Sequence, residues 1–241
     1  MLHTFDNLDQ LFESLADFVV AKSKHAIAKE GRFSFVLSGG SSPKRLYELL
    51  ASDQYKNQID WKKVFFFFGD ERYVPATDAQ SNFLMAQKTL FDPLEILPSQ
   101  VYAIDTTASP DDSALSYQND IYSYFKDKPT CFDFILLGLG DNVHTASLFP
   151  HSAILHEQTA FVKAIFVEEV KMNRITLTAP IINKSNTIVF LVYGASKAEA
   201  VKHVLADAAN IEEYPAQLIH AETGELHWFL DHDAAKYIQQ A

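Results

Sequence analysis

The sequence predicts an α/β fold built on a mainly parallel sheet with helices on both faces. Three observations carry this. Short apolar runs rich in aromatic and β-branched residues alternate along the whole chain with longer segments of three- and four-residue apolar periodicity. Small-residue or charged turns follow the runs, where a strand would leave the core. No proline- or glycine-rich linker, low-complexity tract or internal repeat interrupts the alternation, so residues 1–241 read as a single domain.

Leu8, Leu11, Leu15, Phe18 and Val19 recur at helical spacing and predict an amphipathic helix from Asn7 to about Lys29 that covers the sheet. Phe33 to Leu37 reads as a strand. It is broken by Ser38-Gly39-Gly40-Ser41-Ser42-Pro43 before a helix containing Leu46, Leu49 and Leu50. In the plainest reading Ser42 caps that helix and Pro43 takes its first position. Val64 to Phe68, continuous and aromatic, predicts a central strand covered on both sides. Ser81 is the natural cap of a helix running to about Leu90, and Ser109-Pro110-Asp111-Asp112 opens another that runs to about Phe125.

Phe132 to Leu137 predicts a buried strand, Ala160 to Val170 and Arg174 to Thr178 two outer strands, and Thr187 to Tyr193 a core strand. Gly194-Ala195-Ser196-Lys197 closes that strand before a helix to about Leu205. Tyr214 to Leu218 reads as a short helix, Leu226 to Leu230 as a strand, and Asp231 to Gln240 as a closing helix. His227 and His232 read as packing or surface side chains.

Composition bounds the function. A formal charge of −11 argues against nucleic acid as a partner, although it leaves room for a small anion held by a few local cations. The single cysteine, Cys131, allows no internal disulfide and reads as a small apolar residue, which predicts a cytoplasmic protein. The first six residues lack the basic start and apolar core of a signal peptide, and no apolar run is long enough to span a bilayer.

Chemistry is expected where strands end. At Ser38 to Ser42, paired glycines and two serines precede a helix whose unpaired amides and dipole attract phosphate, although a plain tight turn is the simpler reading. The Gly-Lys-Ser/Thr ending of a P-loop is missing. After the aromatic strand, Asp70, Glu71 and Arg72 crowd two carboxylates and a guanidinium at the same sheet edge. After Leu137 comes Gly138-Leu139-Gly140-Asp141-Asn142-Val143-His144-Thr145-Ala146-Ser147-Leu148-Phe149-Pro150, in which His144 can exchange a proton near neutral pH. Gly138 and Gly140 begin a dinucleotide fingerprint whose third glycine position is Val143, so no such cofactor is expected. His144, His151 and His156 lack the helical spacing of a zinc protease, and there is no Gly-x-Ser-x-Gly elbow.

Taken together, the Ser38 loop, Asp70-Glu71-Arg72-Tyr73-Val74-Pro75 with Ser81-Asn82, Gly138 to Pro150, Arg174 to Thr178, Lys197-Ala198 and Pro215-Ala216 resemble, in order and over nearly the whole chain, the 6-phosphogluconolactonases and the related glucosamine-6-phosphate isomerases/deaminases. The resemblance implies a modified Rossmann-like fold, no cofactor, and hydrolysis of 6-phospho-D-glucono-1,5-lactone in the pentose phosphate pathway. It puts the catalytic histidine on His144. Phosphate contacts fall on Ser38, Gly39, Gly40, Ser41 and Ser42, with Arg174 and Lys197 by looser alignment, and Arg72 faces the substrate. Oligomeric state is left open.

Lactone hydrolysis needs an activated water and a stabilised oxyanion, which His144 and Arg72 or loop amides can supply. The deaminase pattern carries a glutamate five residues after the histidine, where this chain has Phe149, and Arg72 replaces the tyrosine usual after Asp-Glu in deaminases. Both differences favour the lactonase over an isomerase with Asp70 as the proton-abstracting base. The chain departs from the family in having Asn142-Val143 for the usual Asp-Gly. Asn142 can orient the imidazole but brings no charge, Asp141 is the neighbouring carboxylate that would compensate, and Val143 is ill suited to positive φ. A sugar-phosphate-binding homologue without catalysis is the reading that follows if this loss is decisive.

Overall fold

The computed structural model describes residues 1–126 and 128–238. In chain order the strands and helices are β1 (Leu2–Phe5), α1 (Leu8–Glu30), β2 (Phe33–Leu37), α2 (Ser41–Leu50), β3 (Val64–Phe68), β4 (Asp70–Arg72), α3 (Asn82–Ala86), α4 (Pro110–Phe125), β5 (Phe134–Leu137), β6 (Val162–Val167), β7 (Met172–Leu177), α5 (Ala179–Asn183), β8 (Thr187–Val192), α6 (Ala198–Leu205) and β9 (Glu225–Asp231). Six strands form a wholly parallel sheet in the order β1-β9-β8-β5-β2-β3, the α/β architecture the alternation predicts. The other three, β4-β7-β6, form a small antiparallel sheet.

Local chemistry accounts for the helices. The Asn7 side chain accepts from Gln10 N at 3.0 Å to start α1, and Gly31 ends it in the left-handed region at φ 77°. Leu11, Phe12, Leu15, Ala16, Val19 and Val20 form its buried stripe, and each full burial of a large apolar side chain is worth about 1.5–3 kcal/mol. Ser81 Oγ accepts from Leu84 N to start α3, which then widens into a π-type turn over Gln87–Phe91. Pairing in β3 shows why five consecutive apolar residues make a central strand. Phe66 packs on Phe91 on one face (centroids 5.0 Å apart), while Phe67 packs on Tyr124 of α4 on the other (5.0 Å).

One strand was not anticipated, and three expectations are corrected. Residues Leu2–Phe5 form a strand parallel to β9, which their alternating exposed and half-buried pattern did not reveal. The helix after the Ser38 loop begins at Ser41 with Gly40, not Ser42, as its cap, and no side chain caps it. The outer strands lie in a sheet of their own, antiparallel rather than added to the parallel one. Residues 232–238 form turns instead of a closing helix, and 239–240 lie outside the described residues. Among the described residues no helix is long and apolar enough to cross a membrane.

Candidate active site

The parallel strands β2, β5 and β8 end at one edge of the large sheet, and the small sheet stands over that edge. Between them lies a cavity of about 460 Å³. The positions expected to act on or hold the substrate line it: Ser38, Gly39, Gly40, Ser41 and Ser42 from the first loop, Asp70 and Arg72 from β4, Asn142 and His144 from the loop after β5, Arg174 from β7, and Lys197 after β8.

The first wall is the start of α2. Without a capping side chain, its first amides remain available to a ligand at the positive end of the helix dipole. Gly39 lets this loop close on its neighbour, since a Cβ there would overlap the Asn82 side chain. Asn82 in turn donates to Asp70 O at 2.8 Å, so the loop and β4 are held together.

The second wall follows from strand alternation. Glu71 points away from the cavity and accepts from the backbone amides of Arg72, Asn82 and Phe83 at 2.7–2.8 Å, capping α3; burial pushes its pKa up against those bonds. Asp70 and Arg72 therefore share the opposite face. In the register of β4 with β7, Arg72 lies directly across from Arg174. Facing cations repel, so the strand pair carries a cost that packing does not explain. Arg72 Nη1 donates to Gln80 O at 2.8 Å and Arg174 Nη1 stands 3.7 Å from Asp70 Oδ2. The Nε of both is buried with no hydrogen-bond partner among the described residues. Unpaired guanidinium donors beside a cavity are suited to an anion. Asp70 is itself fixed by Ser147, whose Oγ donates to its Oδ2 at 2.7 Å.

The third wall carries His144 on a tight turn, closed by Val143 N donating to Gly140 O at 3.0 Å and Gly140 N to His144 O at 2.8 Å. Gly140 is the seat of the imidazole, because a Cβ there would overlap the ring. Val143 adopts the left-handed conformation (φ 63°) despite its branched side chain. That costs about 1–2 kcal/mol, and burying the side chain to 3% exposure returns a similar amount, so the loop keeps its shape without glycine.

Phe149 stacks on the imidazole (centroids 4.1 Å apart, 17° between planes). Burial lowers the His144 pKa to about 4; Asp70 and Asp141 oppose the fall, while Arg174 and Lys197 add to it. The ring is thus neutral near pH 7. Its Nδ1 contacts Asn142 Oδ1 at short range, and His144 N approaches the same oxygen at 3.4 Å. With an amide oxygen on Nδ1, the proton sits there and Nε2 is the basic nitrogen. No hydrogen bond reaches Nε2 from the described residues.

Asp141 does not supply the charge missing at Asn142. Its carboxylate takes Lys197 Nζ at 2.6 Å instead. Sequence reasoning also missed Glu169, which accepts from Asn142 Nδ2 at 2.7 Å across 27 positions of chain, because nothing local signals that contact. The other histidines of this region serve elsewhere: His151 pairs with Glu213 and His156 with Glu212. Among the described residues, no three His, Cys, Asp or Glu side chains are grouped to hold a metal ion.

Known proteins resemble this chain over nearly its whole length. Residues 6–228 match the sequence profile of the family described as glucosamine-6-phosphate isomerases/6-phosphogluconolactonase. A 6-phosphogluconolactonase of Synechocystis sp. is 38% identical over 238 residues, covering 97% of this chain and 96% of its own, and one of Haemophilus influenzae is 36% identical over 84% of this chain and 86% of its own. The 6-phosphogluconolactonase of Trypanosoma brucei superposes with a TM-score of 0.85 at 28% identity, over 99% of this chain and 98% of its own. That of Thermotoga maritima gives 0.83 at 25% identity, over 96% and 99%. A monomeric glucosamine-6-phosphate deaminase shares the fold at 19% identity, with a TM-score of 0.82 over 98% of each chain. The chain belongs to the glucosamine-6-phosphate isomerase/6-phosphogluconolactonase family.

Proposed function

We propose that this chain hydrolyses 6-phospho-D-glucono-1,5-lactone to 6-phosphogluconate, with His144 as general base. The observation that carries the reading is a neutral, half-buried imidazole with its basic nitrogen unpaired, set in one cavity with two guanidinium groups and an uncapped helix start. In this reading Nε2 takes a proton from water as the hydroxyl oxygen adds to the lactone carbonyl carbon. The same proton then passes to the ring oxygen as the tetrahedral intermediate collapses and the ring C–O bond breaks. Hydrolysis is complete at that point, with no covalent enzyme intermediate.

Arg72 would stabilise the oxyanion, where a single donor is typically worth about 3 kcal/mol. The start of α2, Arg174 and Lys197 would hold the phosphate, which lies far from the reacting carbon and so contributes orientation. Asp70, fixed by Ser147, would keep Arg174 in place. Action on a diffusible sugar phosphate in the cytoplasm, in the oxidative branch of the pentose phosphate pathway, is part of the same reading. An isomerase/deaminase needs a polar acid or base near the histidine, and Phe149 stacked on the ring leaves none at that position.

The test is product formation. Purified protein should open the lactone well above its spontaneous rate and release no ammonia from glucosamine 6-phosphate, and His144→Ala should fall to the background rate. Ammonia release, or equal lactone rates for wild type and His144→Ala, would sink the assignment.

A further inference from the structure

We propose that Glu169 is a positioning residue for His144, acting through the Asn142 amide; this rests on His144 serving as the base. A primary amide has two faces, one accepting and one donating, and either fits against an imidazole. With the oxygen inward, Nδ1 carries the proton and Nε2 is free to act as a base. With the NH2 inward, Nδ1 must accept, the proton moves to Nε2, and the ring turns a donor toward the cavity. Asn142 alone does not choose between these two states as a carboxylate would, since a carboxylate has no donor.

Glu169 makes the choice. Its carboxylate only accepts, and it holds Asn142 Nδ2 at 2.7 Å, so the NH2 faces outward and the oxygen faces His144. The reversed amide would set its oxygen against that carboxylate and its NH2 against the His144 backbone N–H, which now approaches Oδ1 at 3.4 Å. The hairpin between β6 and β7 delivers the residue. At its tip Lys171 pairs with Glu168, and Glu169 is left to reach the loop after β5. The carboxylate that the loop itself lacks is thus supplied from the other sheet, one hydrogen bond further from the ring.

Glu169 is exposed, so its contact adds little to global stability, and its effect belongs in the chemistry. Glu169→Ala is expected to lower kcat about twofold with KM and Tm unchanged, since an unbiased two-state choice leaves about half of the rings in the productive tautomer. In an Asn142→Asp background the choice no longer exists and Glu169 only repels the new carboxylate, so Glu169→Ala should then leave kcat unchanged or raise it. Equal losses in both backgrounds, or no loss in the first, would overturn the proposal.

A second readout does not depend on turnover. The imidazole nitrogen chemical shifts of His144 should report one Nδ1–H tautomer in the wild type and a mixture in Glu169→Ala. An unchanged tautomer overturns the inference even if the lactone is hydrolysed. Failure of the wild type to open the lactone would count instead against the assigned reaction, with the tautomer still deciding the role of Glu169.

Discussion

Two histidines, His227 buried and His144 half-buried, stand at opposite ends of the parallel strands, and each is linked to a glutamate. His227, at the start of β9, gives Nε2 to Glu225 at 2.8 Å and receives His3 Nε2 on Nδ1 at 2.9 Å; Lys22 closes the chain on Glu225 at 2.8 Å. His144, after the end of β5, is linked through Asn142 to Glu169. Burial depresses the pKa of both. The difference is at the remaining nitrogen. His227 has both nitrogens occupied and stitches β1 to β9, whereas the Nε2 of His144 opens into a cavity. Burial and a lowered pKa alone therefore do not single out a proposed base; the unpaired nitrogen, beside guanidinium Nε donors that also lack partners, does.

The comparison breaks first at the histidines themselves. His144→Ala should cost kcat on the order of 10²–10⁴-fold, the usual worth of a positioned base. His227→Ala should leave kcat within about twofold but lower Tm, because it removes a buried side chain and the ring partner of His3, while Glu225 keeps Lys22. A comparable loss of lactonase rate in both variants would erase the distinction.

Next comes the seat of the ring. In Gly140→Ala the new methyl group would displace the imidazole, and a shift of about 1 Å is enough to cost roughly 10²-fold in kcat. Steady-state kinetics of a variant whose folding is verified by circular dichroism would measure it. Arg174→Met should act mainly on KM, raising it about tenfold or more as a charge-assisted contact to the phosphate is lost. A drop in kcat at unchanged KM would place Arg174 with the reacting carbon instead.

The smallest effects concern pH. Since the His144 pKa lies near 4, kcat/KM should hold through pH 6.5 and fall only as that value is approached. Stability should begin to fall earlier, from about pH 6.5 downward. Between the ordinary histidine pKa of 6.5 and the lowered folded values, the unfolded chain binds more protons than the native one, so acidification favours unfolding. His144→Phe should flatten the decline in Tm between pH 7 and pH 5 in part, leaving the share of His3 and His227. A decline as steep as that of the wild type would assign the effect elsewhere.

Much of this was legible in the sequence, because the parallel strands are continuous apolar runs and the site loops interrupt them with small or charged residues. The elements that escaped lack that contrast. β1 is short and alternates exposed with half-buried residues, and β4 is Asp-Glu-Arg, which reads as a solvated turn. Strand pairing turns Glu71 inward and Arg72 outward, and only the register with β7 reveals that. The Asn142-Val143 departure was visible, but its remedy was not. Val143 is accommodated by burial at positive φ, Asp141 is committed to Lys197, and Glu169 arrives from a hairpin whose approach no local pattern encodes.

The pairing of β1 with β9 also bears on how the chain comes to be folded. Leu2 lies beside Trp228 and Phe5 beside Asp231, so the first strand finds its sheet neighbour more than two hundred residues later. During synthesis the Leu2–Phe5 segment must wait for β9 to emerge, and with it the part of α1 that packs on that strand. Such distant pairing slows folding and leaves hydrophobic surface open to other chains meanwhile. The outer edge of the sheet is thus the last part of the molecule to close.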